Sequence, residues 1–160
     1  MIDRNNLFFG SDFNQNDAGS INFIETRIMD LSPFSAHEVM IDGITYKTAE
    51  HAYQALRVVA EVRVQIEKTG SPMDAWRAGQ VCKERNQLLP NLDKYELMEK
   101  IFRAKLMQHA DIETVLKITG DRELLKVYPK DYYWGTGADG SGENMMGKLW
   151  MKLRAELILM

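Results

Sequence analysis

The chain carries a single cysteine, Cys82. That excludes an intrachain disulfide and fits a reducing compartment. The residues around Cys82 offer nothing that argues for nucleophilic chemistry. No apolar run approaches the roughly 20 residues that a membrane-spanning helix needs. The opening MIDRNNLFFG is polar and mixed in charge, where a signal peptide has a basic start followed by a long apolar stretch. A cytoplasmic protein with no membrane partner is therefore the expectation. An excess of positive charge is also missing: 20 basic against 23 acidic residues leave a net charge of -3. This removes the overall electrostatic footprint of a nonspecific nucleic-acid binder. Repeats, low-complexity linkers and charge blocks that would divide the chain are absent too.

What is present suffices for one packed domain over residues 1–160, since 45% of the residues are hydrophobic. Leu7 to Phe9 and part of Ile21 to Ile28 read as short strands on either side of a polar loop from Ser11 to Ser20. Glu38 to Ile41 and Ile44 to Tyr46 flank Asp42-Gly43, a strong two-residue hairpin signal. Thr48 can cap a helix running to about Ala60, and a second helical stretch covers Glu61 to Lys68. Ser71-Pro72 opens a helix that carries Trp76. From Asp93 to Gln108, residues Tyr95, Met98, Ile101, Phe102 and Leu106 recur near helical spacing. Short helices are expected over Asp111 to Ile118 and Arg122 to Val127, around Gly120. The last helix starts near Asn144 with Met146, Leu149, Trp150, Leu153 and Leu157 in one stripe. The sum is an α+β fold: a mostly helical single domain with a small N-terminal β-sheet.

Two stretches carry chemistry. The first, DYYWGTGADGSGENMMG from Asp131 to Gly147, combines aromatics, glycines and carboxylates just before a helix, a mixture suited to a ring-bearing small molecule. Gly135, Gly137 and Gly140 spell G-x-G-x-x-G, but the strand–helix context of a dinucleotide site is missing, and Asp139 and Glu143 would repel phosphate. In the second, TAEHAYQALR, residues Glu50, Tyr53, Gln54 and Arg57 fall at i, i+3, i+4 and i+7, while Ala49, Ala52, Leu56 and Val59 suit burial. A carboxylate, an amide and a guanidinium then project together, although the outer face of any amphipathic helix reads the same way. His37, His51 and His109 share no metal-ligand spacing, so no metal site and no cofactor are argued. Trp76 and Trp150 read as packing residues and the methionines as core filler. Lys148, Lys152 and Arg154 read as a solvated helix face.

Read together, the hairpin followed by TAEHAYQALR, the segment SPMDAWRAGQ, the stretch IFRAKLMQHADIETVLKITGD, and DYYWGTGADGSGENMMGKLWMKLRAEL resemble the NADAR family, also called the YbiA-like family. The match runs in order from about Ile41 to Leu157. Its most specific pieces are E-H-x-Y-Q-A and D-x-x-W-G-x-G followed by G-x-N-x-x-G-K-L.

The resemblance implies a YbiA-like fold and an N-glycosidase that needs no cofactor. Its substrate would be a small ribosylated base, such as a ribosylaminopyrimidine of riboflavin synthesis, or an ADP-ribosylated guanine. Nucleic acid would enter only as an ADP-ribosylated substrate. By motif position, Glu50 and Asp131 are the catalytic carboxylates. His51, Tyr53, Gln54, Arg57, Trp134, Gly135, Gly137, Asn144 and Gly147 are substrate-binding positions. Arg57 is a candidate for phosphate, the aromatics for stacking on the base, and the backbone donors near Asn144 for a second anion position. The chain departs from the family pattern at Leu31-Ser32-Pro33-Phe34, where family members carry L-S-N-F, and at Pro90, near a usual tryptophan. These departures motivate an alternative, a catalytically altered ADP-ribose or nucleotide-binding module.

Overall fold

A computed structural model describes residues 19–24 and 29–160. The expected strand over Leu7 to Phe9, the loop residues 11–18 and residues 25–28 lie outside the described residues. The chain falls into two compact units. One is Pro33–Ala110; the other joins the described residues up to Ser32 with Asp111–Met160.

The Pro33–Ala110 unit opens with an antiparallel hairpin of β2 (Val39–Ile41) and β3 (Ile44–Tyr46), in the register Val39↔Tyr46 and Ile41↔Ile44. The turn is the one the Asp-Gly pair dictates, with both residues at positive φ, 51° at Asp42 and 81° at Gly43. Helix α1 (Ala49–Leu56) follows, its N-cap Thr48 accepting from the His51 amide. It packs against α2 (Ala60–Glu67), α3 (Pro72–Glu84) and α4 (Lys94–Gln108), which makes it the central helix of the unit. Ser71 caps α3, and Asp93 caps α4 by accepting from the Tyr95 and Glu96 amides. Ile66, Ile101 and Phe102 are wholly buried among these helices, each contributing roughly 1.5–3 kcal/mol of transfer free energy.

Helix α1 stops at Leu56, short of the expected Ala60. The backbone of Arg57 to Val59 is captured from elsewhere: Val58 bridges Leu88, the Val59 amide donates to Gln87 O at 2.9 Å, and the Leu89 amide donates to Arg57 O at 2.9 Å. Extended pairing with a distant segment overrides helix continuation at this β-branched pair.

In the other unit, β1 (Ile21–Asn22) pairs in parallel with β4 (Leu124–Leu125), and α5 (Ala110–Ile118) and α6 (Met145–Leu159) complete it. The helix expected over Arg122 to Val127 is therefore a strand. Gly120, at φ 61°, ends α5, and Pro129 leaves too little chain for another helix. The Ile21 and Phe23 amides instead recruit the carbonyls of Glu123 and Leu125. Part of the β structure thus comes from late in the chain, so the sheet is not wholly N-terminal. Trp150 is fully buried, its indole N–H donating to Leu31 O at 2.8 Å.

Three surface expectations change. Arg154 is buried and donates to the Thr119 hydroxyl at 2.8 Å, so it does not share a solvated face with Lys148 and Lys152. Trp76 is 43% exposed and does not pack in a core. Met98 and Met146 are core residues, whereas Met29, Met40, Met73, Met107 and Met160 are exposed. Among the described residues, no helix is long and apolar enough to cross a membrane.

Candidate active site

Helix α1 presents its polar residues inward. Glu50 is 5% exposed, Gln54 2% and Tyr53 5%, so the stripe predicted from spacing is not a solvated face. The cause is position: a helix surrounded by three others has no outer side for the residues of its first two turns. Gln54 Nε2 donates to Glu50 Oε1 at 2.7 Å. The Glu50 amide donates to Pro33 O at 3.0 Å, so the first departure from the family motif touches the backbone of the candidate acid. Arg57 lies over the Tyr53 ring, 5.3 Å from its centroid.

Not every polar atom here is paired. Gln54 Oε1 and Arg57 Nε and Nη2 are shielded from solvent and have no hydrogen-bond partner among the described residues. Leaving such groups unpaired is destabilising by about 1–3 kcal/mol each, so they mark a site organised for something besides stability.

His51, on the same helix, is 1% exposed and has both ring nitrogens engaged within the unit. Its Nε2–H donates to Thr69 O at 3.1 Å, which leaves Nδ1 to accept from the Thr48 hydroxyl at 2.8 Å. Burial pushes its pKa below the ordinary 6.5; the Thr69 carbonyl works against that and Lys47 adds to it. A neutral histidine pinning the start of α1 is the result.

Asp131 stands at the head of the glycine-rich loop in the other unit. Its Oδ1 accepts from the Trp134 amide at 2.8 Å and the Tyr133 amide at 3.2 Å, and its Oδ2 accepts from Lys126 Nζ at 2.6 Å. Burial raises its pKa, but the Lys126 ammonium and the two amides outweigh that, and the net shift is downward from 3.8. Asp131 is held ionised.

The rest of the loop closes on itself. The amides of Glu143, Asn144, Met145 and Met146 donate to the carbonyls of Tyr132, Gly135, Tyr133 and Trp134. Those donors are turned inward, so the second anion position expected near Asn144 does not form. Asn144, at φ 51°, directs its side chain to β4, accepting from the Lys126 amide and donating to Leu124 O, both at 2.9 Å. A Cβ on Gly147 would stand 2.0 Å from Leu124 O, and one on Gly137 would stand 2.4 Å from the Tyr132 ring. Both glycines thus admit neighbouring protein. Gly135 is buried, and Trp134 is half-buried with its ring edge-on to Tyr133, centroids 4.8 Å apart.

Of the positions expected from sequence, Glu50, His51, Tyr53, Gln54 and Arg57 share one unit, and Asp131, Trp134, Gly135, Gly137, Asn144 and Gly147 share the other. Sequence reasoning missed Lys126 as the partner of Asp131. It also missed Lys105, which is fully buried and donates to the Ser35 hydroxyl at 2.5 Å. The signal for Lys105 was available, since it continues the Met98 and Ile101 stripe at i+7 and i+4.

The chain is a mostly helical α+β protein with one candidate acid on a buried helix and another on a glycine-rich loop. The model of the NADAR domain matches residues 13–158, and the chain belongs to that family. It is 37% identical over 145 residues to N-glycosidase YbiA of Escherichia coli (strain K12), covering 87% of this chain and 89% of that protein. It is 35% identical over 131 residues to the riboflavin biosynthesis protein VVA0006 of Vibrio vulnificus (strain YJ016), covering 79% of this chain and 35% of that protein. The NMR structure of the E. coli protein YbiA superposes with a TM-score of 0.76 at 34% identity, covering 88% of this chain and 84% of that one. N-glycosidase activity is thereby established at the level of the family.

Proposed function

We propose that this chain hydrolyses the C1–N bond between ribose, as ribose phosphate or ADP-ribose, and a nucleobase-like group. Candidate substrates are a ribosylaminopyrimidine of riboflavin synthesis and ADP-ribosylated guanine, and the setting is the cytoplasm. Water adds its oxygen to C1, the C1–N bond breaks with its electrons on nitrogen, and a proton from water ends on the departing base. Positive charge builds on the sugar in the transition state, so a carboxylate fixed beside it lowers the barrier.

The observation that carries this reading is Glu50: a carboxylate 5% exposed on a central helix, oriented by Gln54. It takes the role of stabilising the sugar cation and activating water. Asp131, ionised and held by three donors, suits orientation of water or of the ribose hydroxyls. Tyr53, Gln54, Arg57 and Trp134 act as substrate-binding residues. His51, Asn144, Gly135, Gly137 and Gly147 serve by shaping the segments that bear them. The test is chromatographic detection of base released from a ribosylaminopyrimidine phosphate and from ADP-ribosylated guanosine. Glu50→Gln is expected to lower kcat at least about a hundredfold; unchanged turnover in both Glu50→Gln and Asp131→Asn overturns the mechanism.

A second reading, a nucleotide-binding module without turnover, is favoured by Pro33, which replaces the family's amide where the chain touches Glu50. ADP-ribose binding by calorimetry without base release from either substrate would establish it.

A further inference from the structure

Glycine in the middle of a helix is unfavourable by about 1 kcal/mol relative to alanine, so a buried one calls for a reason. Gly79 lies in α3 and is buried against α1. A Cβ built on it would fall 1.8 Å from Gln54 Oε1, 2.6 Å from Gln54 Cδ and 3.2 Å from Arg57 Nη2. The amide of Gln54 thus occupies the space where a side chain at position 79 would begin.

The orientation of that amide is dictated from its other end. Glu50 Oε1 accepts from Gln54 Nε2 at 2.7 Å, which turns the amide's Oε1 away from the carboxyl. Turned away, Oε1 meets the α3 backbone at Gly79 and finds no hydrogen-bond donor among the described residues. The Gly79 backbone faces it, and Arg57 Nη2, likewise without a hydrogen-bond partner among the described residues, borders the same space. The unpaired oxygen is the visible consequence of holding the amide against the acid.

We infer that Gly79 is a positioning residue for the reaction: its missing side chain seats the Gln54 amide, and through that amide fixes the Glu50 carboxylate. The inference rests on Glu50 carrying the chemistry, as proposed above. It makes α3, which has no carboxylate of its own in the site, one of the elements that set where the acid points.

The test uses the full chain and its Gly79→Ala, Gln54→Ala and Glu50→Gln variants, together with the Gln54→Ala/Gly79→Ala double variant, in which the space taken by the Gln54 amide is cleared. Two readouts are taken: the Gln54 side-chain amide signal in a ¹⁵N spectrum, assigned by its loss in Gln54→Ala, and kcat and KM on whichever substrate the wild type turns over. Gly79→Ala is expected to move the Gln54 amide signal in the same sense as Glu50→Gln does. It is also expected to lower kcat about tenfold, the rate equivalent of one hydrogen bond to a charged group. The double variant should be no slower than Gln54→Ala alone if the effect of Gly79 runs through Gln54. An unmoved amide signal in Gly79→Ala overturns the inference even if no turnover is found. So does a double variant that loses a further tenfold. Full turnover by Glu50→Gln sinks the parent reading instead, and is told apart because the amide signal in Gly79→Ala still moves.

Discussion

The two acid-bearing segments solve opposite problems. In the loop from Asp131 to Gly147, successive amides find a carbonyl or a carboxylate within the same segment, Asp131 has three donors, and Asn144 ties the end of the loop to β4. On α1, a buried carboxylate is oriented by an amide whose oxygen is unpaired, beside a guanidinium with two unpaired nitrogens. The loop is a finished structure that displays an ionised acid. The helix leaves the Gln54 oxygen and two Arg57 nitrogens without hydrogen-bond partners among the described residues. A glycine-rich loop therefore looks like the functional element in sequence, while the incomplete hydrogen bonding sits on an ordinary-looking helix.

The contrast is sharpest in a pair of amide-for-acid substitutions. Glu50→Gln keeps the shape and replaces the carboxylate with an amide. Turnover is expected to fall at least about a hundredfold while the unfolding free energy changes by less than about 1 kcal/mol. Asp131→Asn is expected to lower both, because Lys126 loses its partner in a half-buried pair; a stability loss of about 1–3 kcal/mol in denaturant titration is anticipated. Equal stability losses in the two variants would erase the distinction between display and valence.

A different substitution probes the loop alone. Asn144→Ala strands the Lys126 amide and the Leu124 carbonyl and leaves alanine at a positive φ. The expected loss is about 2–3 kcal/mol by denaturant titration. If instead substrate binding fails with stability intact, Asn144 contacts ligand and the loop is less self-contained than its hydrogen bonds suggest.

What was legible in sequence was local. Asp42-Gly43 specifies its own turn, and Thr48, Ser71 and Asp93 cap helices with their own side chains. What was illegible depended on distant partners: Val58 leaves α1 because Leu88 claims its backbone, and Leu124 becomes a strand because Ile21 lies beside it. The candidate site divides the same way. Glu50 and Gln54 were legible as an i, i+4 pair, but their burial follows from three other helices. The role of Gly79 required knowing which residue faces it.

The smallest expected effect separates the two segments by pH. The pKa of His51 is lowered in the folded chain, so between the folded value and the ordinary 6.5 the unfolded chain binds more protons. Stability is then full above that range and falls as pH drops through it. Asp131 is also lowered, but from 3.8, so its contribution persists above the ordinary carboxylate value and is lost only as pH falls through a folded value below 3.8. Acidification from neutral pH should therefore weaken the α1 segment first and leave the loop intact. Amide exchange at pH 5 against pH 7, corrected for the intrinsic rate, is expected to show faster opening in residues 49–56 than in residues 131–147. His51→Gln should abolish the difference, since it removes the group whose protonation drives it. A loop that opens first, or an α1 whose acid sensitivity survives His51→Gln, would mean that the acid-labile element is not the helix that bears Glu50.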